Sequence, residues 1–114
     1  MRRGEIWTYA FGSPDRTRPV LVLTRQEVIE LLRTVMVAPV TSTIRGAPSE
    51  VIVGIDEGLK HDSAVNLDHV QTVETSRLGR RLGEANAAKM RAVCRALAIA
   101  AGSDVLTRLL RTPG

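Results

Sequence analysis

The sequence predicts an α+β domain, mainly β: a strongly curved antiparallel sheet, part barrel, with a helix packed across one end. Three observations predict it. Most of the chain is a series of short apolar, β-branched runs separated by turns rich in Gly, Pro and Asp. One long segment near the end has helical periodicity instead. The chain has 114 residues and is 44% hydrophobic, which suits one packed core and leaves no room for a second.

Taken in order, "GEIWTYAF" (4–11) is the first strand. Trp7, Tyr9 and Phe11 alternate along it and so share one face. "GSPDRTR" is a turn-rich loop. "PVLVLT" (19–24) is a second strand whose unbroken apolar run predicts burial on both faces. "RQEVIELL" (25–32) is a short helix after that strand, with Val28, Leu31 and Leu32 on one side. "TVMVAPV" (34–40) is the third strand, "TSTIRGAPS" a loop, "EVIVGI" (50–55) the fourth strand and "DEGLKHD" a polar turn. "SAVNLDHVQTV" (63–73) gives one or two more strands, broken near Leu67–Asp68. "ETSRLGRRLGE" (74–84) reads as a basic connector.

The clearest helix follows. Asn86 is a good N-cap, and Met90, Val93, Cys94, Leu97 and Ala101 form one apolar face. Gly102 is placed as a C-terminal stop. The domain is expected to span 1–102. Residues 103–114 are a tail in which Ser103 to Arg111 allow one more short helix.

Net charge is +4, and the cations are nearly all arginine, with lysine only at Lys60 and Lys89. The guanidinium fork fits phosphate bidentately, which suits a nucleic-acid or acidic-protein partner; a genome that prefers Arg codons would give the same composition. Aromatics are only 3%, which argues against modules that stack RNA bases on exposed rings. A single cysteine, Cys94, excludes an internal disulfide, and its helical position predicts burial. No apolar run approaches the ~18 residues of a membrane span. Arg2 and Arg3 are followed by an acidic residue and a strand, not by a signal-peptide core. The chain is therefore expected in the cytoplasm, without membrane contact.

The common catalytic motifs are missing: no GxSxG, no phosphate-binding Walker loop, no HExxH and no Cys/His set at ligand spacing. His61 and His69 read either as an acid/base pair or as ordinary surface and half-buried histidines. Asp56, Glu57, His61 and Asp62 read either as a metal site or, as preferred, as a solvated acidic turn, and no metal or other cofactor is expected. What remains is arginine plus hydroxyl. "VMVAPVTSTIRG" (35–46) runs from a core strand straight into Thr41, Ser42, Thr43 and Arg45. Arg18 precedes Pro19, which holds it extended. If the second and third strands are neighbours, Arg18 and Thr41 share one surface and make a phosphate site without a metal. The competing reading is an arginine capping a loop and hydroxyls satisfying a turn.

Five blocks, "RGEIW", "RPVLVLT", "VAPVTSTIRG", "DSAVNLDHVQTV" and "RLGRRLGE", together resemble the MazF/PemK toxins of bacterial toxin–antitoxin pairs. The resemblance implies a small SH3-like curved β-barrel and a sequence-specific, metal-independent endoribonuclease working as a homodimer. It implies cleavage of single-stranded RNA by 2′-hydroxyl attack on the scissile phosphate, with Arg18 and Thr41 acting there. Ser42, Thr43 and Arg45 would hold or steer the neighbouring backbone. Asn66 and Asp68 match positions that face the substrate groove and would read base edges. The implied regulator is a cognate antitoxin with a flexible acidic C-terminal segment. The helix 87–101 and the strand 35–40 are the expected contributors to the dimer.

The first loop lacks the histidine that some relatives carry, and Gln71 stands where many have arginine, so the recognised RNA sequence is left open. Two other readings stand beside this one. One is a CcdB-like topoisomerase-poisoning toxin, although that mode depends on a C-terminal tryptophan and the only one here is Trp7. The other is a non-catalytic RNA-binding module with Arg77, Arg80 and Arg81 as a phosphate track.

Overall fold

The computed structural model describes residues 1–12 and 16–102. Seven strands form one antiparallel sheet: β1 (Glu5–Ala10), β2 (Thr17–Val22), β3 (Thr34–Thr41), β4 (Glu50–Val53), β5 (Ser63–Asn66), β6 (Gln71–Glu74) and β7 (Leu78–Glu84). Their order is β4-β5-β3-β2-β1-β7, with β6 pairing onto β3. Two helices join them, α1 (Gln26–Ile29) after β2 and α2 (Ala87–Ala100) at the end. The expected mainly-β α+β class, with a curved sheet and a closing helix, is the class observed.

β3 is the hub. Its first half, Thr34 to Val37, pairs with β6, and its end, Val40 and Thr41, pairs with β5. Its other edge pairs with β2, Val20 facing Pro39 and Val22 facing Val37. The single-turn helix Leu67–His69 separates β5 from β6 and is the predicted break. With both edges occupied and Val35, Val37, Ala38 and Val40 buried, β3 is interior sheet.

The apolar run of β2 divides between two cores, as alternation requires. Leu21 and Leu23 join Ala38, Val40, Val65 and the helix residues Met90, Val93 and Ala96. Val20 and Val22 join Tyr9, Val35, Val37, Val73 and Leu78 on the other face, with Trp7 and Phe11 packed against them. The three aromatics therefore share one face, as their spacing predicts. Tyr9 and Phe11 meet edge-on, with ring centroids 4.8 Å apart.

Asn86 caps α2, its Oδ1 accepting from the Lys89 amide at 2.8 Å. Cys94, however, is exposed rather than core, and its Sγ accepts from Arg3 Nη2 at 3.1 Å. The buried stripe of α2 runs through Ala96 and Ala98, so the helix is rotated slightly from the face that Cys94 suggested. α1 is also shorter than expected. It ends at Ile29, which is the residue it buries, so Leu31 and Leu32 lie beyond it and are exposed.

The segment expected to be a basic connector is β7, paired with β1 along its length. Its cations and glycines hide a strand, because its role depends on backbone rather than apolar side chains. A Cβ on Gly83 would strike the Glu57 carbonyl oxygen, and one on Gly58 the Leu82 carbonyl oxygen. The turn after β4 thus lies backbone to backbone against β7, which curls the sheet although no ladder joins β4 to β7 among the described residues. Glu57 in this turn is buried, not solvated, and its Oε1 accepts from the Gly54 amide at 2.7 Å.

Arg81 of β7 is paired as well: its Nε donates to Glu5 Oε2 at 2.6 Å. Glu5 is buried and also accepts from the Arg2 amide and Trp7 Nε1. Burial alone would raise its carboxyl pKa, but the Arg2 amide, Arg81 and Trp7 donors outweigh burial and hold it below the ordinary value. The possible helix at Ser103 to Arg111 lies outside the described residues. Among the described residues no helix is long and apolar enough to cross a membrane.

Candidate functional site

The expected phosphate site is tested by register. Val20 faces Pro39 across the β2–β3 ladder, so stepping two residues outward on each strand sets Arg18 opposite Thr41. Thr41 in turn pairs with Ala64 on its other side. Three neighbouring strands, about 4.8 Å apart, thus end together. Arg18, Thr41 and the start of β5 stand on one edge of the molecule.

A pocket of about 860 Å³ opens at this edge. Arg16, Arg18, Lys60 and Arg80 supply its charge, His61 joins them, and among the described residues none of the lining is a carboxylate. Phe11, Pro19, Pro39, Val40, Leu59 and Leu82 give it apolar walls, and Thr8, Thr41, Ser42 and Ser63 give it hydroxyls. An anion flanked by flat apolar groups, such as a nucleotide, matches that mixture chemically.

The two central side chains are in usable states. Arg18 is exposed, and its Nη1 donates to the neighbouring Thr17 carbonyl at 2.9 Å. A guanidinium has five donors, so this contact orients it while leaving most of the fork for a ligand. Thr41 is half-buried, and its Oγ1 accepts from the Thr43 amide at 3.1 Å. Because that bond uses the oxygen as acceptor, the hydroxyl proton remains for an incoming oxygen. The local sequence explains this geometry: Pro19 holds Arg18 extended, and the chain turns sharply after Thr41 in an ST-type bend.

The other expected residues divide. Ser42 lines the pocket beside Thr41. Thr43 and Arg45 are exposed on the loop beyond it, outside the lining; Glu50 Oε1 accepts from the Arg45 and Ala47 amides and holds that loop. Asn66 and Asp68 also lie outside the lining, and their polar groups are engaged. Asn66 Oδ1 accepts from the Asp68 amide at 3.0 Å, and Asn66 Nδ2 meets His69 Nδ1 at 2.9 Å. Asp68 Oδ2 accepts from Ser49 Oγ at 2.6 Å. These bonds fix the turn between β5 and β6. Of the arginine track Arg77, Arg80 and Arg81, only Arg80 reaches the pocket. Arg77 lies over the Tyr9 ring, 5.5 Å from its centroid, and Arg81 is tied to Glu5.

Sequence reasoning missed Arg16 and Lys60 as pocket cations, named Arg80 only in the alternative phosphate track, and left His61 undecided. Arg80 carried a signal, since Leu78, Arg80 and Leu82 alternate as a strand face would. Lys60 and His61 carried none, because only the packing of the turn against β7 brings them there. His69 is elsewhere, so the two histidines do not form a pair.

Comparison with known proteins agrees with the geometry. Residues 2–101 match the model of the PemK-like, MazF-like toxins of type II toxin–antitoxin systems. The chain is 46% identical over 100 residues to a probable endoribonuclease, MazF5, of Mycobacterium tuberculosis, covering 86% of this chain and 90% of that one. Among solved structures it superposes on the Mycobacterium tuberculosis toxin MazF-mt6 with TM-score 0.80 at 38% identity, covering 88% of this chain and 98% of that one. It also superposes on a mycobacterial endoribonuclease in complex with its cognate antitoxin, with TM-score 0.81 at 28% identity, covering 90% of this chain and 96% of that one.

Proposed function

Because the chain belongs to the PemK-like, MazF-like toxin family, we propose that it is an endoribonuclease that cuts single-stranded RNA at specific sequences without a metal ion and is neutralised by a cognate antitoxin. The observation that carries this reading is that Arg18 and Thr41 line one pocket whose charged residues, among those described, are all basic.

The reaction is transesterification. The ribose 2′-oxygen attacks the adjacent phosphorus and the 5′-oxygen of the next nucleotide leaves, giving a 2′,3′-cyclic phosphate and a 5′-hydroxyl. The protein must hold the 2′-oxygen, phosphorus and 5′-oxygen in line and stabilise the charge that grows on the phosphoryl oxygens. Arg18 is assigned the bidentate contact to those oxygens and Thr41 a donated hydrogen bond to one of them. Ser42 assists beside them. Thr43 and Arg45 continue the path for the backbone outside the pocket. Asn66 and Asp68 brace the turn that supports β5, and their remaining donor and acceptor capacity is assigned to reading base edges. Dependence on the 2′-hydroxyl makes DNA a non-substrate.

The functional form is assigned as a homodimer. Its support is the set of exposed apolar side chains, notably Ile52 on the edge strand β4 and Ile99 on the outer side of α2. The antitoxin's inhibitory segment is assigned as flexible, acidic and apolar, a polyanion able to occupy the basic pocket in place of RNA. The deciding experiment incubates the purified protein with a long RNA in excess chelator. Discrete fragments ending in cyclic phosphate are expected. Intact RNA, or fragments only when a divalent metal is restored, would refute the metal-independent nuclease.

A further inference from the structure

The transesterification leaves one task without a residue. The 2′-hydroxyl must lose a proton as it attacks. Arginine and lysine side chains are donors only, and a threonine hydroxyl is a poor acceptor of a proton. We infer that His61 is the general base of this site, taking the 2′-hydroxyl proton at Nε2. The inference rests on the endoribonuclease reading and adds to it a third catalytic residue.

Two observations carry it. First, His61 lines the same pocket as Arg18, Thr41 and Ser42, and no other imidazole does. It stands three residues before Ala64, the partner of Thr41. Three extended residues span at most about 10 Å, so the ring is tethered close to the strand ends that hold the phosphate. Second, its tautomer follows from its contact. Nδ1 lies 3.2 Å from the Asp62 carbonyl oxygen. A carbonyl can only accept, so Nδ1 carries the hydrogen in the neutral ring and Nε2 presents its lone pair. Ser63 Oγ donates to the His61 carbonyl at 3.3 Å and steadies the backbone that carries the ring. The arrangement has the form of a base oriented through its other nitrogen, and imidazole suits proton transfer near neutral pH.

The step balances without any further reactant than water. The O2′–H bond breaks as its proton passes to Nε2, and the O2′–P bond forms. The P–O5′ bond breaks with its electron pair on the 5′-oxygen, which takes a proton from water. The hydroxide so formed recovers the proton from the imidazolium.

The test uses the full chain in single-turnover cleavage of an RNA with enzyme in excess. His61→Ala is expected to slow cleavage at least ~100-fold, the lower end for general base catalysis. Binding of the same RNA carrying deoxyribose at the cleavage position should change little. Added imidazole should restore part of the rate to His61→Ala and none to Arg18→Ala, a signature that loss of a mere packing or phosphate contact would not give. His61→Arg should remain slow. A wild-type rate in His61→Ala, a wild-type rate in His61→Arg, or a loss matched by weaker binding and deaf to imidazole would overturn the assignment. These outcomes concern His61 alone. If the unaltered protein fails to cut RNA at all, the endoribonuclease reading itself fails.

Discussion

In the proposed mechanism, removing the Arg18 fork or the Thr41 hydroxyl takes away a donor assigned to the growing charge. Arg18→Ala and Thr41→Ala are each expected to reduce cleavage by at least ~100-fold with unchanged circular dichroism. Arg18→Lys should be nearly as poor, because a point charge cannot reproduce a bidentate contact. Activity near normal in both alanine variants would remove the site from this edge of the sheet. Glu5 gives a prediction of another kind. Its pKa in the folded protein lies below the ordinary 4.5, so the unfolded chain binds the proton more readily. The stability it contributes is fully present above pH 4.5 and is lost as pH falls through the folded value. Melting temperatures followed from neutral to acid pH should fall less steeply in Glu5→Gln than in the unaltered protein. An identical slope would show that Glu5 is not a source of acid sensitivity. At this scale the sequence was informative about Arg18 and Thr41, since a proline and a run of hydroxyls mark their positions. It was misleading about Cys94, because one position of an amphipathic repeat can fall on either side of the boundary between core and solvent.

Among elements, β7 shows where local pattern runs short. Five of the six other strands carry two or more buried apolar residues, and the remaining one, β6, carries Val73. β7 buries Leu78 alone and offers arginines and glycines. Its strand character comes from pairing with β1, residues far away in sequence, which no local signal records. Its glycines are the trace of that pairing, being required where the turn after β4 approaches. Gly83→Ala would place a methyl group against the Glu57 carbonyl, and that neighbour is backbone, so it cannot swing aside. The substitution is expected to cost about 1–3 kcal/mol, read as a lower midpoint in urea. A variant as stable as the parent would mean that β7 and the turn are not locked together. The strands β2, β3 and β5, by contrast, were visible because burial on two faces forces continuous apolar runs, and β4 because its residues are β-branched.

For the whole molecule, the curved sheet was legible from the succession of strands and the closing helix, whereas the pocket was not. It is assembled from five separate stretches of chain and exists only once they meet. Sedimentation at micromolar concentration should show a dimer, and Ile52→Lys with Ile99→Lys should shift it toward monomer. A monomeric parent would contradict the assembly proposed here. A peptide of alternating acidic and apolar residues, standing in for the antitoxin segment, should compete with deoxyribose-blocked RNA, and its affinity should fall with added salt. Simultaneous binding of both at full affinity would require inhibition from a distance.

The ladder between β1 and β7 has one more consequence, and it concerns time. Glu5 pairs with Glu84, so 79 positions of sequence separate the two partners. Contacts of such long range form late in folding. Arg80 and Leu82 of β7 are also walls of the pocket. While the chain is being synthesised, the pocket therefore stays open on one side until β7 has emerged and docked on β1. Trp7 lies opposite Arg81 in that ladder, and its indole donates to Glu5, so its fluorescence reports the closure.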